Sequence, residues 1–341
     1  EMTNIRNQDS WVHKNDPQKA TEKARDLVRM AVAKVALMEP LTETELEINQ
    51  RALVVGAGIS GIAATLSLSD QGYEVCLVER EPFLGGQGSL LFRTWKGEDV
   101  QMNLSKMIEK VHSDPNIDLR LNTELAGVEG FVGNFKSTLL CDGHEEPVEH
   151  GVAVIATGAF EGRPNEYLYG EDDRVVTHLE LDQRFMGNDP ALKEMKSAVF
   201  IQCVGSREPD RPYCSRVCCT HAMESALHLK KLNPQMRVVV LYRDIRTYGE
   251  REYLYRDARM AGVLFIPYTV DRKPQVFTHE GDLKIQVMDP LLGQDVAMTA
   301  DLLCLASAIV PYRDEALAQM FKVPMNADGF FVEAHAKLGP S

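Results

Sequence analysis

The chain has 341 residues, of which 44% are hydrophobic, and it carries 50 acidic against 37 basic side chains, a formal net charge of −13. A surface of this charge repels the phosphates of nucleic acids and of anionic lipids, which excludes both as expected main partners. The longest apolar run, GVAVIATGAF, is far shorter than the ~20 residues that cross a bilayer. The start of the sequence shows no signal-peptide pattern, so a cytoplasmic protein is expected. The length of the chain predicts two globular domains.

The first predicted element is a helix that begins after Asp16 and ends near Leu37. Asp16 is suited to the N-cap, and Pro17 occupies the first helical position. Apolar residues recur at helical spacing, at Leu27, Val28, Ala31, Val32, Val35 and Ala36. One face of this helix is therefore expected to pack, either on the rest of the chain or on another subunit.

A β–turn–α–β pattern follows in RALVVGAGISGIAATLSLSDQGYEVCLVERE. Its glycines allow, in order, a tight turn, close approach of a pyrophosphate to the backbone and close helix–strand packing. The helix N-terminus offers amide donors to the pyrophosphate, and the acid that ends the second strand is placed to bind a ribose diol. The predicted dinucleotide-binding residues of this segment are Gly56, Gly58, Ile59, Ser60, Gly61, Glu79 and Arg80.

The next segments favour FAD over NAD as the dinucleotide. A second glycine pair in REPFLGGQGSLL lies where flavoproteins with two dinucleotide-binding domains run alongside an extended FAD. GVAVIATGAF predicts a strand that ends where such chains leave the FAD domain, and the intervening sequence predicts a helix followed by a β-meander. These segments add Gly85, Gly86, Gln87, Ala156, Thr157 and Gly158 to the predicted FAD contacts.

A second β–α–β unit begins at SAVFIQCVGSR, after a segment rich in glycine and proline at 162–190 that is interpreted as a linker. A nucleotide-binding domain would carry its own glycine motif after this strand, whereas the sequence continues with cysteines. The helix CTHAMESALHLKKL and the strand MRVVVLYRD complete the unit. The fold of a nucleotide domain is therefore expected without its phosphate site. The later strand in ADLLCLASAIVP is expected to rejoin the FAD domain.

The segment CVGSREPDRPYCSRVCC holds four of the seven cysteines, Cys203, Cys214, Cys218 and Cys219. Adjacent cysteines diverge too far to bind one metal ion together, whereas the iron corners of a [4Fe–4S] cluster lie several ångströms apart. The pattern therefore favours a [4Fe–4S] cluster and disfavours a disulfide, while zinc and unligated thiols remain as alternatives. The N-terminus of the following helix suits anionic sulfur. Three nearby cations also suit anionic sulfur, namely Arg207, Arg211 and Arg216.

The remaining residues identify no catalytic group. Cys76, Cys141 and Cys304 lie in or near apolar strands, where packing is their expected role. Outside the four-cysteine segment the chain has no cysteine pair with the CxxC or CxxxxC spacing of disulfide reductases. His221 is interpreted as a packing or surface residue, with a ligand or hydrogen-bond donor to the cluster as the alternative. The redox groups that the sequence predicts are therefore a flavin and a one-electron carrier beside it. Together they are suited to splitting, merging or storing electron pairs.

Several segments resemble the HdrA family, which comprises the A subunits of heterodisulfide reductase and their bacterial relatives. The resemblance is carried by VVGAGISGIAATLSLSDQGYEVCLVEREPFLGG, IQCVGSREPDRPYCSRVCC, YRDIRTYGE and the N-terminal SWVHKNDPQKATEKARDLVRMAVAK, and it covers nearly the whole chain. It implies a thioredoxin-reductase-like core that binds FAD and a [4Fe–4S] cluster on the four cysteines. It also implies a homodimer and partner subunits similar to heterodisulfide reductase B and C.

Three departures from the family refine this expectation. The chain has none of the additional ferredoxin-like cysteine motifs of methanogen relatives, has Asp9 where they typically have a cysteine, and stops at Ser341, before a glycine-containing segment that completes the FAD site. They favour a short HdrA-like subunit that stores and relays electrons in a heterodisulfide-reductase-like complex for sulfur-compound oxidation. The alternatives are a flavin-based electron-bifurcating subunit, a stand-alone NAD(P)H-dependent flavin reductase and a non-catalytic assembly subunit.

The predicted architecture is an α/β fold with two dinucleotide-binding-type domains, as in thioredoxin reductase, and an N-terminal helical extension at 1–48. The FAD-binding domain is expected at 49–160 and 298–341. The second domain, which carries the iron–sulfur cluster, is expected at 161–297.

Overall fold

The computed structural model describes residues 2–41 and 45–333. The chain separates into two compact units, Glu1–Glu47 and Ile48–Ser341. Among the described residues, no helix combines the length and the apolar character needed to cross a bilayer. The last part of the predicted FAD domain, 334–341, lies outside the described residues.

The first unit contains a short π-helix at Arg6–Ser10 and the helix α1 at Pro17–Ala36. Helix α1 begins as predicted, because the Asp16 carboxylate accepts a hydrogen bond of 3.1 Å from the Lys19 amide and Pro17 takes the first helical position. No residue of α1 is buried. Several of its apolar side chains are exposed, such as Val32 at 63%, while Leu27 and Ala31 are half-buried.

The second unit begins with a parallel four-stranded sheet and an antiparallel meander. Their elements are β1 (Ala52–Val55), α2 (Ile59–Ser69), β2 (Val75–Val78), α3 (Val100–Ser113), β3 (Ile117–Arg120), β4 (Thr123–Phe131), β5 (Asn134–Cys141), β6 (His144–His150) and β7 (Val152–Ile155). The parallel strand order is β3-β2-β1-β7, and β4-β5-β6 form the meander. The predicted sequence of helix and then meander is confirmed.

The same plan recurs in the second half of the unit. Its elements are β8 (Ala159–Glu161), β9 (Val175–Thr177), α4 (His178–Met186), α5 (Ala191–Glu194), β10 (Ser197–Val204), α6 (Cys218–Leu232), β11 (Arg237–Tyr242), α7 (Glu252–Met260), β12 (Leu264–Pro267), β13 (Gln275–His279), β14 (Asp282–Asp289), β15 (Gln294–Ala300), β16 (Leu302–Ser307), β17 (Ile309–Pro311) and α8 (Glu315–Phe321). The parallel order is β12-β11-β10-β16-β9, with the meander β13-β14-β15. The predicted α/β fold with two dinucleotide-binding-type halves is confirmed.

The segment interpreted as a linker contains β9 and α4, so that interpretation is wrong. Thr177 and Glu180 form a reciprocal capping box at the start of α4: the Glu180 carboxylate accepts the Thr177 amide at 2.7 Å, and the Thr177 hydroxyl accepts the Glu180 amide at 3.4 Å. A Thr-x-x-Glu pattern is a sequence signal for a helix start. The glycines and prolines on either side of the helix obscured that signal.

Although the chain after ADLLCLASAIVP returns to the first half, where Tyr312 lies beside Arg80, this run itself adds no strand to the first sheet. It splits into β16, which lies between β10 and β9 with Ala198 opposite Leu302, and the short β17, which pairs with β8. All six residues of β16 are buried. A continuous apolar run of this kind fits a strand whose two faces are both covered, and the centre of the second sheet provides that environment.

The core of the second half lies between β10 and the helices α4 and α6. Phe200 of β10 is fully buried there, together with Leu181 of α4 and Met223 of α6. Because β10 is buried along its whole length, its end is held in one position. The loop that follows β10 therefore starts from a rigid element.

Replacing Phe200 with Ala is expected to lower the free energy of unfolding by about 3–5 kcal/mol, because it leaves a cavity in this core. Phe277→Ala is the matched control, since Phe277 is 40% exposed, and its effect should stay below about 1 kcal/mol. Urea titrations followed by circular dichroism measure both changes. Equal shifts for the two variants would contradict the described core.

Candidate functional site

The glycine motif lies in the turn between β1 and α2. Gly56 has a φ of +100°, and a Cβ there would lie 2.6 Å from the Ala156 carbonyl oxygen. A Cβ on Gly61 would lie 1.8 Å from the Gly56 carbonyl oxygen. Both positions therefore require glycine, the first for its backbone conformation and the second for the close contact of α2 with the turn.

Gly58 differs from its two neighbours in the motif, because a Cβ there would meet no atom within 4 Å. It is the N-cap of α2, and no side chain caps that helix. Ile59 and Ser60 form the exposed first turn. The backbone amides of a helix start without a side-chain cap are donors for an anion, and the open space at Gly58 lets a phosphate group approach them.

Glu79 follows the last residue of β2 and lies against the glycine turn. Its carboxylate accepts hydrogen bonds from the Ala57 amide at 2.7 Å and from the Glu81 amide at 3.0 Å. The spacing of β2 from the glycine motif thus places the acid at the turn, as the dinucleotide-binding fingerprint requires.

The second glycine pair packs directly on the first motif. The Gly85 amide donates to the Ala57 carbonyl at 2.8 Å, and a Cβ on Gly86 would lie 3.0 Å from the Gly58 Cα. Gly85 and Gly86 have φ angles of +113° and +49°. Gln87 lies half-buried in the single helical turn that follows, Gly86–Leu90. The two glycine segments therefore form one continuous backbone surface.

The third segment predicted to contact FAD follows β7. The Ala156 amide donates to the Val55 carbonyl at 2.8 Å, and Gly158 has a φ of +70°. Thr157 and Gly158 line a small cavity of about 40 Å³ together with Tyr312. The Arg80 guanidinium lies 4.4 Å from the centre of the Tyr312 ring. All three predicted segments thus meet at the carboxyl edge of the first sheet, where ligands of such sheets bind.

The four clustered cysteines occupy the two ends and the interior of the loop between β10 and α6. Cys203 belongs to β10 and has a φ of +62°, and Cys218 and Cys219 are the first residues of α6. Cys214 lies half-buried in the loop, while the other three are buried. All four are free thiols. The predicted position at the start of the helix is therefore confirmed for the adjacent pair.

The four thiols lie within electrostatic range of one another. Burial is the main cause that raises the pKa of Cys218 and that raises the pKa of Cys219 to about 11, and negative charge on Cys203 or Cys214 acts in the same direction on both thiols. Burial also raises the pKa of Cys203, an effect that the Arg207 guanidinium opposes. The raised pKa values favour the neutral thiols of Cys203, Cys218 and Cys219 in the metal-free chain, and a bound cation would deprotonate them.

Positive groups and backbone donors surround the four thiols. A guanidinium nitrogen of Arg207 lies 3.8 Å from the Cys203 sulfur, and the Arg216 amide lies 3.4 Å from the Cys214 sulfur. Arg211 instead donates to the Gly205 carbonyl, at 3.3 Å. Arg246, which no sequence motif indicated, lies within electrostatic range of Cys214 and pairs with Asp244. Arg246 is distant in sequence from the cysteines, so no spacing could reveal it.

The loop between β10 and α6 has a strained backbone. Cys203, Arg207 and Arg216 all have positive φ angles, of 62°, 57° and 66°, a conformation that is uncommon for residues other than glycine. The buried Arg243 supports the loop, since its guanidinium donates to the Arg207 carbonyl at 2.7 Å and to the Glu208 carboxylate at 3.0 Å. Strain that the surrounding structure maintains in this way is typical of functional loops.

The cysteine set does not form a ready single-ion site. Within residues 2–41 and 45–333, no three His, Cys, Asp or Glu side chains are arranged to hold one metal ion. His221 points elsewhere, because its ring nitrogen lies 3.0 Å from the Asp182 carboxylate and its ring stacks on that of His178 at 4.4 Å. The fit of the site to a metal cofactor therefore rests on its four sulfur donors and their positive surroundings, which suit a cluster.

Residues 52–117 match the family model of FAD-dependent oxidoreductases. An iron–sulfur A subunit of the CoB–CoM heterodisulfide reductase of Methanopyrus kandleri is 33% identical over 439 residues, an alignment that covers the whole of this chain and 66% of the relative. The chain belongs to the HdrA family of heterodisulfide reductase subunits. It spans about two thirds of that curated relative. Since the alignment is longer than the 341 residues of this chain, the relative holds residues within the matched region that this family member lacks.

Solved structures show the fold of this HdrA homologue. Thioredoxin reductase from Lactococcus lactis matches with a TM-score of 0.55 and 15% identity, over 83% of this chain and 84% of the other. Thioredoxin reductase from T. acidophilum matches with a TM-score of 0.53 and 12% identity, over 83% and 85%. The predicted thioredoxin-reductase-like fold is thereby confirmed.

Gly61→Ala is expected to destabilise the fold by about 1–3 kcal/mol, because the added methyl group would overlap the Gly56 carbonyl. Gly58→Ala is the matched control, and because Gly58 is the N-cap of α2 its effect should stay at about 1 kcal/mol or less. Thermal unfolding of the two variants in FAD-free protein measures the difference. A Gly61→Ala protein as stable as the Gly58→Ala protein would contradict the described turn.

Proposed function

We propose that this chain is an electron-transfer subunit, similar to HdrA of heterodisulfide reductase, that binds FAD and a [4Fe–4S] cluster. In this proposal residues 49–160 hold the flavin, and the domain at 161–297 holds the cluster on Cys203, Cys214, Cys218 and Cys219. FAD, when bound, takes up one or two electrons, and the cluster takes up one. The subunit then stores electrons and relays them to partner subunits.

The observation that carries the proposal is a difference between two equivalent loops. In the first half of the fold, the loop after β1 leaves open space at Gly58 in front of the helix that follows. In the second half, the loop between β10 and α6 lies between Cys203 near the end of β10 and Cys218 and Cys219 at the start of α6. One half is suited to a dinucleotide phosphate, and the other offers sulfur ligands where the phosphate would lie.

The surroundings of the four thiols support a cluster that carries negative charge. Arg207 and Arg246 lie beside the sulfurs of Cys203 and Cys214. The Arg216 amide also donates to the Cys214 sulfur. Positive charge and hydrogen bonds to sulfur stabilise a cluster with thiolate ligands and raise its reduction potential.

The proposed FAD contacts are the backbone surface of the two glycine segments and the residues after β7. In this assignment Gly58, Ile59 and Ser60 face the pyrophosphate, while Gly56 and Gly61 shape the turn that brings them there. Glu79, which already accepts the Ala57 amide, accepts hydrogen bonds from the ribose. The remaining proposed contacts are Arg80, Gly85, Gly86, Gln87, Ala156, Thr157 and Gly158.

We further propose that the protein works as a homodimer with partner subunits similar to heterodisulfide reductase B and C, in a complex that oxidises sulfur compounds. The curated relative is itself a subunit of heterodisulfide reductase. The exposed apolar residues of α1 offer a surface for another chain. The seven free cysteines suit a reducing compartment such as the cytoplasm.

Two alternative functions lack features that they need. A stand-alone NAD(P)H-dependent reductase needs a second phosphate-binding turn, and β10 leads into Cys203 and its strained loop instead. Electron bifurcation needs a separate exit for each electron of a pair. In the described part of the chain, the other three cysteines lie in separate strands, so they offer no second cluster.

The first test of the proposed function counts the electrons that the anaerobically purified protein accepts. About three electrons per chain are expected, two for FAD and one for a [4Fe–4S] cluster. Coulometric titration measures this number, and acid extraction with iron and sulfide assays identifies the cofactors. An uptake of two electrons with bound zinc would overturn the cluster. Rapid reduction of the flavin by NADH or NADPH would favour the stand-alone reductase.

The second test separates the two cofactor sites by mutation. Cys214→Ala should lose the cluster or convert it while FAD remains, whereas Gly58→Ala should lose FAD while iron remains, because the added methyl group occupies the proposed phosphate position. Cys141→Ala is the control for the first variant, since Cys141 lies at the end of β5 away from the four-cysteine loop. Iron that is retained in Cys214→Ala, or lost equally in Cys141→Ala, would contradict the ligand assignment.

A further inference from the structure

A cavity lies between the segment Phe92–Gly97, which follows the second glycine pair, and the helices α4 and α6. Its volume is about 280 Å³, close to the lower end of the range for small-molecule sites. We call it the α6 cavity. Its wall begins at Glu224, more than one turn along α6 from Cys219, and extends to Lys231, about three turns from Cys219. None of the predicted FAD contacts or cysteine ligands lines it.

The walls of the α6 cavity are largely aromatic. The rings of Phe92 and Phe185 lie 5.5 Å apart, and the His228 ring meets both edge-on at 4.9 and 4.6 Å. Trp95 lines the same cavity. Rings held against each other in this way form a rigid apolar surface that suits a flat, apolar body.

Three cations line the cavity and a fourth lies near Trp95 of its wall, all without a salt-bridge partner among the described residues. Arg93, Lys96 and Lys231 line the cavity, and the Arg251 guanidinium lies 5.9 Å from the Trp95 ring. In the part of the chain that the structure describes, none of them forms a salt bridge, whereas Arg243 and Arg246 in the neighbouring loop are both paired. Unpaired cations gathered at one apolar cavity are unusual in a chain with a net charge of −13.

The acidic groups of the cavity leave this positive charge largely uncompensated. The Asp182 carboxylate is already engaged, since it accepts the Phe92 amide at 3.0 Å and pairs with His221 at 3.0 Å. Glu224 is the other acid in the wall, and burial raises its pKa to about 7. Near neutral pH, Glu224 is therefore protonated in a large fraction of the molecules.

We infer that the α6 cavity is a binding site for a small organic anion with a planar apolar body, separate from the FAD site. The aromatic walls contact the body, and the acid group of the ligand lies among the rim cations. This inference stands on the cavity alone and does not depend on the proposed function. It adds a small-molecule site to a subunit otherwise described through its cofactors.

Binding of an anion to the α6 cavity is expected to depend on pH. The charged and titratable groups that face Glu224 are His221, His228 and Lys231 on its own helix, Asp182 on α4, and Arg93 and Lys96 on the segment after the glycine pair. Burial lowers the pKa of His228, so this ring is mostly neutral above pH 6.5. As the pH rises through 7, Glu224 becomes negative and repels an anion. Binding should therefore weaken.

The test uses naphthalene-2-sulfonate as the probe and the purified protein with its cofactors bound. Isothermal titration calorimetry should detect binding of the sulfonate and much weaker binding of neutral 2-naphthol. Lys231→Gln and Arg93→Gln should each weaken sulfonate binding about three- to tenfold, as expected for the loss of one charge contact. Lys106→Gln, which removes an exposed charge from α3, is the matched control and should leave binding unchanged.

A second arm of the test concerns Glu224. In the unaltered protein, the sulfonate should bind about three- to tenfold more weakly at pH 8.5 than at pH 6.5. Glu224→Gln should reduce this difference and leave the smaller part that comes from His221, whose pKa is raised because burial, which lowers it, is outweighed by the hydrogen bond and the negative charge of Asp182. Equal affinities for the sulfonate and 2-naphthol, or equal effects of Lys231→Gln and Lys106→Gln, would overturn the proposed anion site. Binding seen only after removal of FAD would also overturn it, because the cavity would then belong to the flavin. Absence of sulfonate binding in both the FAD-bound and the FAD-free protein would also overturn the proposed anion site.

Discussion

The close contact between helix α2 and the end of strand β1 is the constraint on which the candidate FAD site depends. Gly61 has no Cβ, and the helix lies so close to the turn that a Cβ added there would be 1.8 Å from the Gly56 carbonyl oxygen. This approach brings the Ala57 amide within 2.7 Å of the Glu79 carboxylate. It also places Gly58 against Gly86, so that the two glycine segments share one surface. A side chain at Gly61 would separate these groups even if each strand formed correctly.

The second half of the fold uses the same topology for different chemistry. Its central strand β10 is buried throughout, as a strand covered on both faces must be. The loop after it replaces a tight glycine turn with a longer segment that holds positive φ angles at Cys203 and Arg207. Arg243 keeps this loop in place through hydrogen bonds to its carbonyl groups. A rigid sheet thus supports a strained loop, and that arrangement holds thiols in position for a cofactor.

Positive charge in this acidic protein gathers at two places in its second unit. Arg207 and Arg246 lie beside the cysteine sulfurs, and Arg93 and Lys231 lie at the rim of the α6 cavity. Helix α6 links both places, since it begins with the adjacent cysteines and continues along the cavity wall. The chain has a net charge of −13. Local positive charge therefore favours anions at these two positions, while the rest of the surface repels them.

The sequence by itself determined the fold class, the glycine motif with its acid at Glu79 and the cysteine set, because these follow from local spacing along strands and helices. The Thr177-x-x-Glu180 capping box was also present in the sequence, although a linker was predicted there. Only the tertiary structure decided that β16 joins the second sheet, since a short apolar run fits the interior of either sheet equally well. It alone revealed Arg246 beside Cys214 and the α6 cavity. These features join residues that are distant in the chain, and no local pattern records such contacts.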